Sequence, residues 1–312
     1  MTDITPSAPK GRIGKIIDSD VFYSYRTSPV AIIASIIATI LVLGALFAPW
    51  IAPYDPFNPR TLNLMNGFTP PMSESFTGNF FLFGSDHQGR DVFSAILYGS
   101  RVSLMVGLSA IMFAMVLGVS LGLIAGYRGG LTDTVIMRIA DVQLSFPSIL
   151  IALLIFGVAR GIIPPSQQES MAIFVLIFAI GLSDWAQFAR TVRGTTMVEK
   201  QKDYVSAARI LGVKPIFILI RHILPNVVGP VLVIATIGLA LAIIAEATLS
   251  FLGVGVPPTQ PSLGTLIRIG QQFLFSGEWW ILFYPAVTLI LLALSVNLLG
   301  DWLRDALNPR LR

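Results

Sequence analysis

The chain has 312 residues, of which 54% are hydrophobic and only 12% charged. About a quarter of the residues in a soluble domain are charged, so that class is excluded, and the length admits six spans of about 20 residues with their loops. With no cysteine, disulfides, a thiolate nucleophile and thiolate metal sites are also excluded. The net charge of +4 is not read as affinity for nucleic acid, because where the basic residues fall matters more than their sum.

Residues 1–28 are polar and carry Lys10, Arg12, Lys15 and Arg26. The apolar run 29–51 follows. It exceeds the roughly 7–15 residues of a signal-peptide core and no clear small-residue cleavage site follows it, so it is read as an uncleaved first span. Residues 52–100 and 251–280 are rich in proline and lack low complexity. They are expected to form ordered external loops, the first with a short amphipathic helix near 89–100. Further spans are predicted at 101–126, 133–158, 171–190, 227–250 and 281–300. Each is long enough to cross about 30 Å of hydrocarbon at about 1.5 Å per residue. A spanning backbone must satisfy its own hydrogen bonds, and barrel-type alternation is absent. The predicted fold class is therefore an all-α membrane protein with six transmembrane helices.

The turn Tyr127–Gly130 makes the second and third spans an antiparallel hairpin. Gly118 and Gly122 share one helix face and permit close helix approach. Residues 101–300 form the core unit, with five spans and an inner loop at 191–226, and residues 301–312 form a tail. With the N-terminus inside, the outer segments hold Arg60, Arg90, Arg101, Arg160 and Arg268, five of the 21 basic residues. The rest fall on the inner side. By the positive-inside rule both termini are cytoplasmic.

The inner loop contains DYVSAARILGVKPIFILIRHILP, Asp203 to Pro225, too polar for a span and too apolar for an ordinary loop. Asp203 is expected as an N-cap, with Val205, Ala208 and Leu211 on one face. Gly212 is expected just past the helix end in the left-handed conformation. A helix of about two turns is not stable alone in water and must pack on something. Pro215 opens a second short helix and Pro225 is expected to stop it. Two readings stay open on the residues alone: an interfacial helix on anionic lipid headgroups, or a docking element for a cytoplasmic partner.

This block resembles the cytoplasmic signature of bacterial ABC importer permeases, matched by Ala207, Ala208, Gly212, Leu224 and Pro225. Ser206 replaces the usual glutamate and His222 the usual apolar residue. Both departures are similar to the dipeptide, oligopeptide and nickel branch, whose D-Y-V-x-A-A-R-x-L-G…R-H-I-L-P-N form is met from Asp203, Tyr204, Val205 and Arg209 through Arg221, His222, Ile223 and Asn226. The external stretch Gly84–Leu104, the string EATLSFLG at Glu246–Gly253 and the end from Asn297 to Pro309 resemble the same branch.

The resemblance implies a type I ABC importer-like permease subunit of the bacterial inner membrane. Its coupling residues would be Asp203, Tyr204, Ala207, Ala208, Arg209, Gly212, His222, Leu224 and Pro225, and the first short helix would be the coupling helix. It further implies a second homologous permease subunit, two ABC ATPase subunits and an external solute-binding protein as partners, beside membrane lipid. Small peptides are the implied solute, with nickel or another small solute as the alternative. No G-x-x-x-x-G-K-[ST] loop is present. No cofactor is expected on this chain, and ATP and Mg are expected in the ATPase subunits.

Charges near or within spans are functional candidates by default. Asp141 is read as a local pair with Arg138. Asp184 is read as an interhelical hydrogen-bonding group or a proton carrier, and Glu246 as a pathway residue or a structural bond. His87 and His222 fall on opposite membrane faces and cannot form one metal site. No catalytic set is assembled by spacing, so no enzyme activity is assigned. A secondary transporter driven by an ion gradient and a structural membrane subunit without transport are the competing classes.

Overall fold

The computed structural model describes residues 20–58 and 62–306. Lys10, Arg12, Lys15, Arg60, Leu307, Pro309, Arg310 and Arg312, which entered the charge and motif readings, lie outside the described residues. Helix α1 covers Asp20–Thr27 and α2 Pro29–Leu46, followed by a single turn, α3, at Ala48–Ile51. Ser28 caps α2 by accepting from the Ala31 N–H at 3.3 Å. On α2 the small residues Ala31, Ala34, Ala38 and Ala45 are buried, while Ile33, Ile36, Ile40 and Leu46 point outward. Large apolar side chains outside and small ones inside is the inverse of a soluble helix and suits one surrounded by lipid.

The segment between α3 and the next helix, expected to be external, is ordered around a short antiparallel ladder, β1 (Ser73–Glu74) with β2 (Phe80–Phe81). Helix α4 then runs unbroken over Val92–Arg128. The amphipathic helix expected near 89–100 is therefore not separate; it is the outer end of the second span. Asp91 sets its start, its carboxylate accepting from the Ser94 N–H at 2.8 Å.

Helix α5 (Gly130–Leu144) follows a turn in which Gly129 and Gly130 both take positive φ. The third span, expected as one stretch at 133–158, is two helices: α5 and α6 (Ser148–Ile162) meet at 97°. Pro147 is the cause, since it cannot donate and its ring disfavours helical backbone at Phe146. Helix α7 (Pro165–Glu199) extends past both expected ends of the fourth span. Five helices among the described residues are long and apolar enough to cross a membrane, and the bent pair makes up to six.

After α8 (Asp203–Ile210), α9 (Pro215–Ile218) leads through a π turn at Leu219–Ile223 into α10 (Leu224–Phe251). The loop that follows carries α11 (Leu263–Gln271), and α12 (Trp280–Ala306) closes the bundle. The core is built on α4 packed against α7. A Cβ on Gly118 would lie 2.4 Å from the Trp185 carbonyl, and one on Gly122 would lie 2.6 Å from that of Ala189. Both glycines therefore let the two backbones touch, as their spacing predicts.

Candidate functional site

The inner end of the bundle carries the Asp203–Pro225 block. Lys202, in extended backbone and without a side-chain cap, precedes α8, so Asp203 is its first helical residue rather than its N-cap. The Asp203 carboxylate still sits at the positive end of the helix. Val205 and Ala208 are buried against Leu123, Phe188 and Val192 of α4 and α7. Leu211, expected on that face, is 81% exposed, and the neighbouring Ile210 is 86% exposed. The helix ends at Ile210, so Leu211 leaves the helical register and swings outward.

Gly212 takes φ +77° as its position requires. The Val213 N–H donates to the Ala208 carbonyl at 3.1 Å and the Gly212 N–H to that of Arg209 at 3.0 Å. That pair of bonds is a Schellman closure. Ala207 and Arg209 are both exposed, and the Arg209 guanidinium lies 5.2 Å from the centre of the Tyr127 ring.

Pro225 does not stop the second short helix. The Leu224 N–H reaches back to the Leu219 carbonyl, and the wider π turn carries the chain past the ring into α10. Proline removes one donor and crowds the preceding turn, and a π turn is one way to absorb both. His222 lies in this turn, stacked on Tyr204, while Leu224 is half-buried and Pro225 exposed.

Of the charged candidates, Glu246 is fully buried. Its two oxygens accept from Ser103 Oγ of α4 at 2.6 Å and Ser250 Oγ at 2.7 Å. Ser103 Oγ also accepts from the Leu263 N–H at 3.2 Å and Ser250 Oγ from that of Val256 at 3.2 Å. Glu246 is thus the centre of a polar knot joining α4, α10 and the start of α11. The Asp184 carboxylate has no hydrogen bond or ion pair among the described residues. Asp141 pairs with Arg190 of α7, not with Arg138.

At the end of the bundle expected to face outward, the stretch from Gly84 forms a tight turn. The Asp86 carboxylate accepts from the N–H groups of Gln88 (2.8 Å) and Arg90 (2.9 Å) and from Arg90 Nε (2.6 Å). Burial, opposed by Asp86 and reinforced by Arg90, holds the nearby His87 below its ordinary 6.5. The turn delivers Asp91 to the head of α4. Sequence reasoning left Glu199 and the Asp133–Arg193 pair out of the site, although Arg193 Nη2 donates to Asp133 at 2.6 Å across the α5–α7 contact.

The model of binding-protein-dependent transport system inner membrane components matches residues 118–312. The N-terminal TM domain of oligopeptide transport permease C matches residues 19–71. Oligopeptide transport system permease protein OppC of Bacillus subtilis (strain 168) is 36% identical over 293 residues, 94% of this chain and 90% of that protein. Di/tripeptide transport system permease protein DppC of Pseudomonas aeruginosa (strain UCBPP-PA14) is 36% identical over 273 residues, 88% of this chain and 86% of that protein. A chain of the MetNI methionine ABC transporter, solved in inward-facing conformations, shares the fold with a TM-score of 0.53 at 20% identity, covering 69% of this chain and 96% of that one. The chain belongs to the binding-protein-dependent transport system inner membrane components and is a permease component of an ABC importer.

Proposed function

We propose that this permease couples ATP hydrolysis in two partner ATPase subunits to alternating access for small peptides. It would pair with a second, homologous permease and receive solute from an external binding protein, with both its termini in the cytoplasm. The observation that carries this reading is α8. Its inner face is buried in the bundle, while Ile210 and Leu211 stand exposed at its tip. A helix lying on lipid headgroups would extend its cation toward them; Arg209, though exposed, keeps its guanidinium over the Tyr127 ring. The tip is therefore shaped for an apolar groove. Nucleotide-driven closure of the ATPase pair would bias a two-state bundle through it. Peptides are favoured as the solute because relatives matched over most of the chain are named for oligopeptides and di- and tripeptides; nickel is the alternative.

The test is Gly212→Pro, which is incompatible with φ +77° and removes the N–H that closes α8. The variant is expected to reach the membrane but to lose ATP-driven uptake. Normal transport by it would overturn the docking role. A second reading, ion-driven transport, is favoured by one observation: the Asp184 carboxylate lacks a partner among the described residues. It predicts uptake that survives ATP depletion and is lost in Asp184→Asn.

A further inference from the structure

Three elements converge beside α8. Glu199, the last residue of α7, is buried, and its carboxylate accepts from Tyr204 Oη at 2.5 Å and from Lys202 Nζ at 2.6 Å. The Tyr204 oxygen in turn accepts from Asn226 Nδ2 of α10 at 3.1 Å. Asn226 Nδ2 also donates to the His222 carbonyl, in the π turn, at 2.8 Å. The His222 ring lies over the Tyr204 ring, with centres 6.3 Å and planes 20° apart. One phenol hydroxyl therefore links α8 to the inner ends of both α7 and α10. Burial, together with the bond to Glu199, pushes this hydroxyl up to about 12, so it keeps its proton and donates at any physiological pH.

The placement is that of a lever. Tyr204 is the second residue of α8, and the exposed tip at Ile210–Leu211 is at the other end. Only residues 200–202 separate α8 from α7, whereas the four residues 211–214, with Gly212, separate it from α9. A load applied at the tip meets the glycine turn on one side. On the other it meets a hydrogen-bonded anchor, in which a charged acceptor makes the bond stronger than a neutral one.

We infer that Tyr204 is the positioning residue that makes α8, the end of α7 and the start of α10 move as one body, so that a displacement of the tip reaches two spans together. This rests on α8 being the ATPase-docking helix. Without the hydroxyl, the tip would still dock but α8 would pivot about Gly212 and the stroke would be dissipated.

The experiment uses the complete complex in proteoliposomes, with its ATPase subunits, second permease and binding protein, and measures solute uptake and ATP hydrolysis separately. Tyr204→Phe is expected to co-purify with the ATPase and keep hydrolysing, while solute moved per ATP falls by about tenfold, the scale of one hydrogen bond to a charged group. Asn226→Ala should lower the ratio less, and the double variant should be no worse than Tyr204→Phe alone, because both act through one junction. Because the chain lacks cysteine, spin labels at Met197→Cys and Ser206→Cys report the α7–α8 distance. It should stay constant between nucleotide-free and ATP-trapped complexes, and vary in Tyr204→Phe. An unchanged ratio in Tyr204→Phe, a parallel fall of uptake and hydrolysis, or a distance that already varies in the unsubstituted chain would overturn the inference. If Tyr204→Phe fails to assemble, Glu199→Gln, which keeps the shape and weakens the bond, must show the same drop in the ratio or the inference fails. Uptake without ATP by the unsubstituted complex would instead refute the docking reading on which it rests.

Discussion

The two ends of the bundle differ in what they leave exposed, although each also holds a buried, hydrogen-bonded carboxylate, Glu199 at one and Glu246 at the other. At the outer end Asp86, Arg90, Asp91 and Glu246 are all buried and bonded within the chain. At the inner end the Asp141–Arg190 pair is half exposed, and the large apolar side chains of Ile210 and Leu211 face outward. A buried carboxylate is tolerated where hydrogen bonds reach it, as they reach Asp86, Asp91 and Glu246, although Arg90 Nη2 and His87 Nδ1 are buried there without a partner among the described residues. Exposed apolar residues on a capped two-turn helix are the surface that the proposed ATPase partner would cover.

That contrast is broken most easily at the outer knot. Glu246→Ala leaves the Ser103 and Ser250 hydroxyls buried without their acceptor and opens a void, which is expected to destabilise the protein by about 3 kcal/mol. Thermal unfolding in detergent micelles measures it, and an unchanged midpoint would show that the knot does not hold α4 to α10. At the inner end Asp141→Asn removes an exposed pair, expected to be worth about 0.5 kcal/mol or less. A large loss there would mean that the α5–α7 contact is as tightly determined as the outer end.

The smallest expected effect is a pH dependence at the outer turn. The folded state holds His87 below 6.5, so between the folded value and 6.5 the unfolded chain binds the proton more readily. The stability this contributes is complete above 6.5 and declines as the pH falls through that window. On acidification from about pH 7.5 to about 5.5, the unfolding midpoint of the unsubstituted chain should fall more than that of His87→Gln. Equal slopes would remove His87 from the account.

Much of the architecture was legible because lipid imposes simple rules. Long apolar stretches, the Gly118–Gly122 face and the Gly212 cap each follow from local chemistry, and the glycines have the expected place, while the third stretch is broken and the helix of the fourth is longer than expected. The differences share a cause. Pro147 and Pro225 are the same residue type with opposite outcomes: one bends the third span by 97°, while the other is carried through by a π turn. Residue type alone does not decide between them: Pro225 falls in the first turn of α10, where a missing donor is tolerated. Asp141 selects Arg190, 49 residues away, over Arg138 on its own helix, and no spacing rule reports a partner on another helix. The junction at Tyr204 was hidden for the same reason. Tyr204, His222 and Asn226 all lie in the motif, but Glu199 lies before it, and only the fold of α7 against α8 brings the four together.

The central claim is that energy enters through the inner end from a partner that hydrolyses ATP. It is tested most directly by solute uptake into proteoliposomes holding the complete complex, with ATP supplied or withheld at the ATPase face and with an uncoupler present or absent. The account predicts uptake that requires ATP and is indifferent to the uncoupler. Uptake that continues without ATP and collapses with the uncoupler would contradict it.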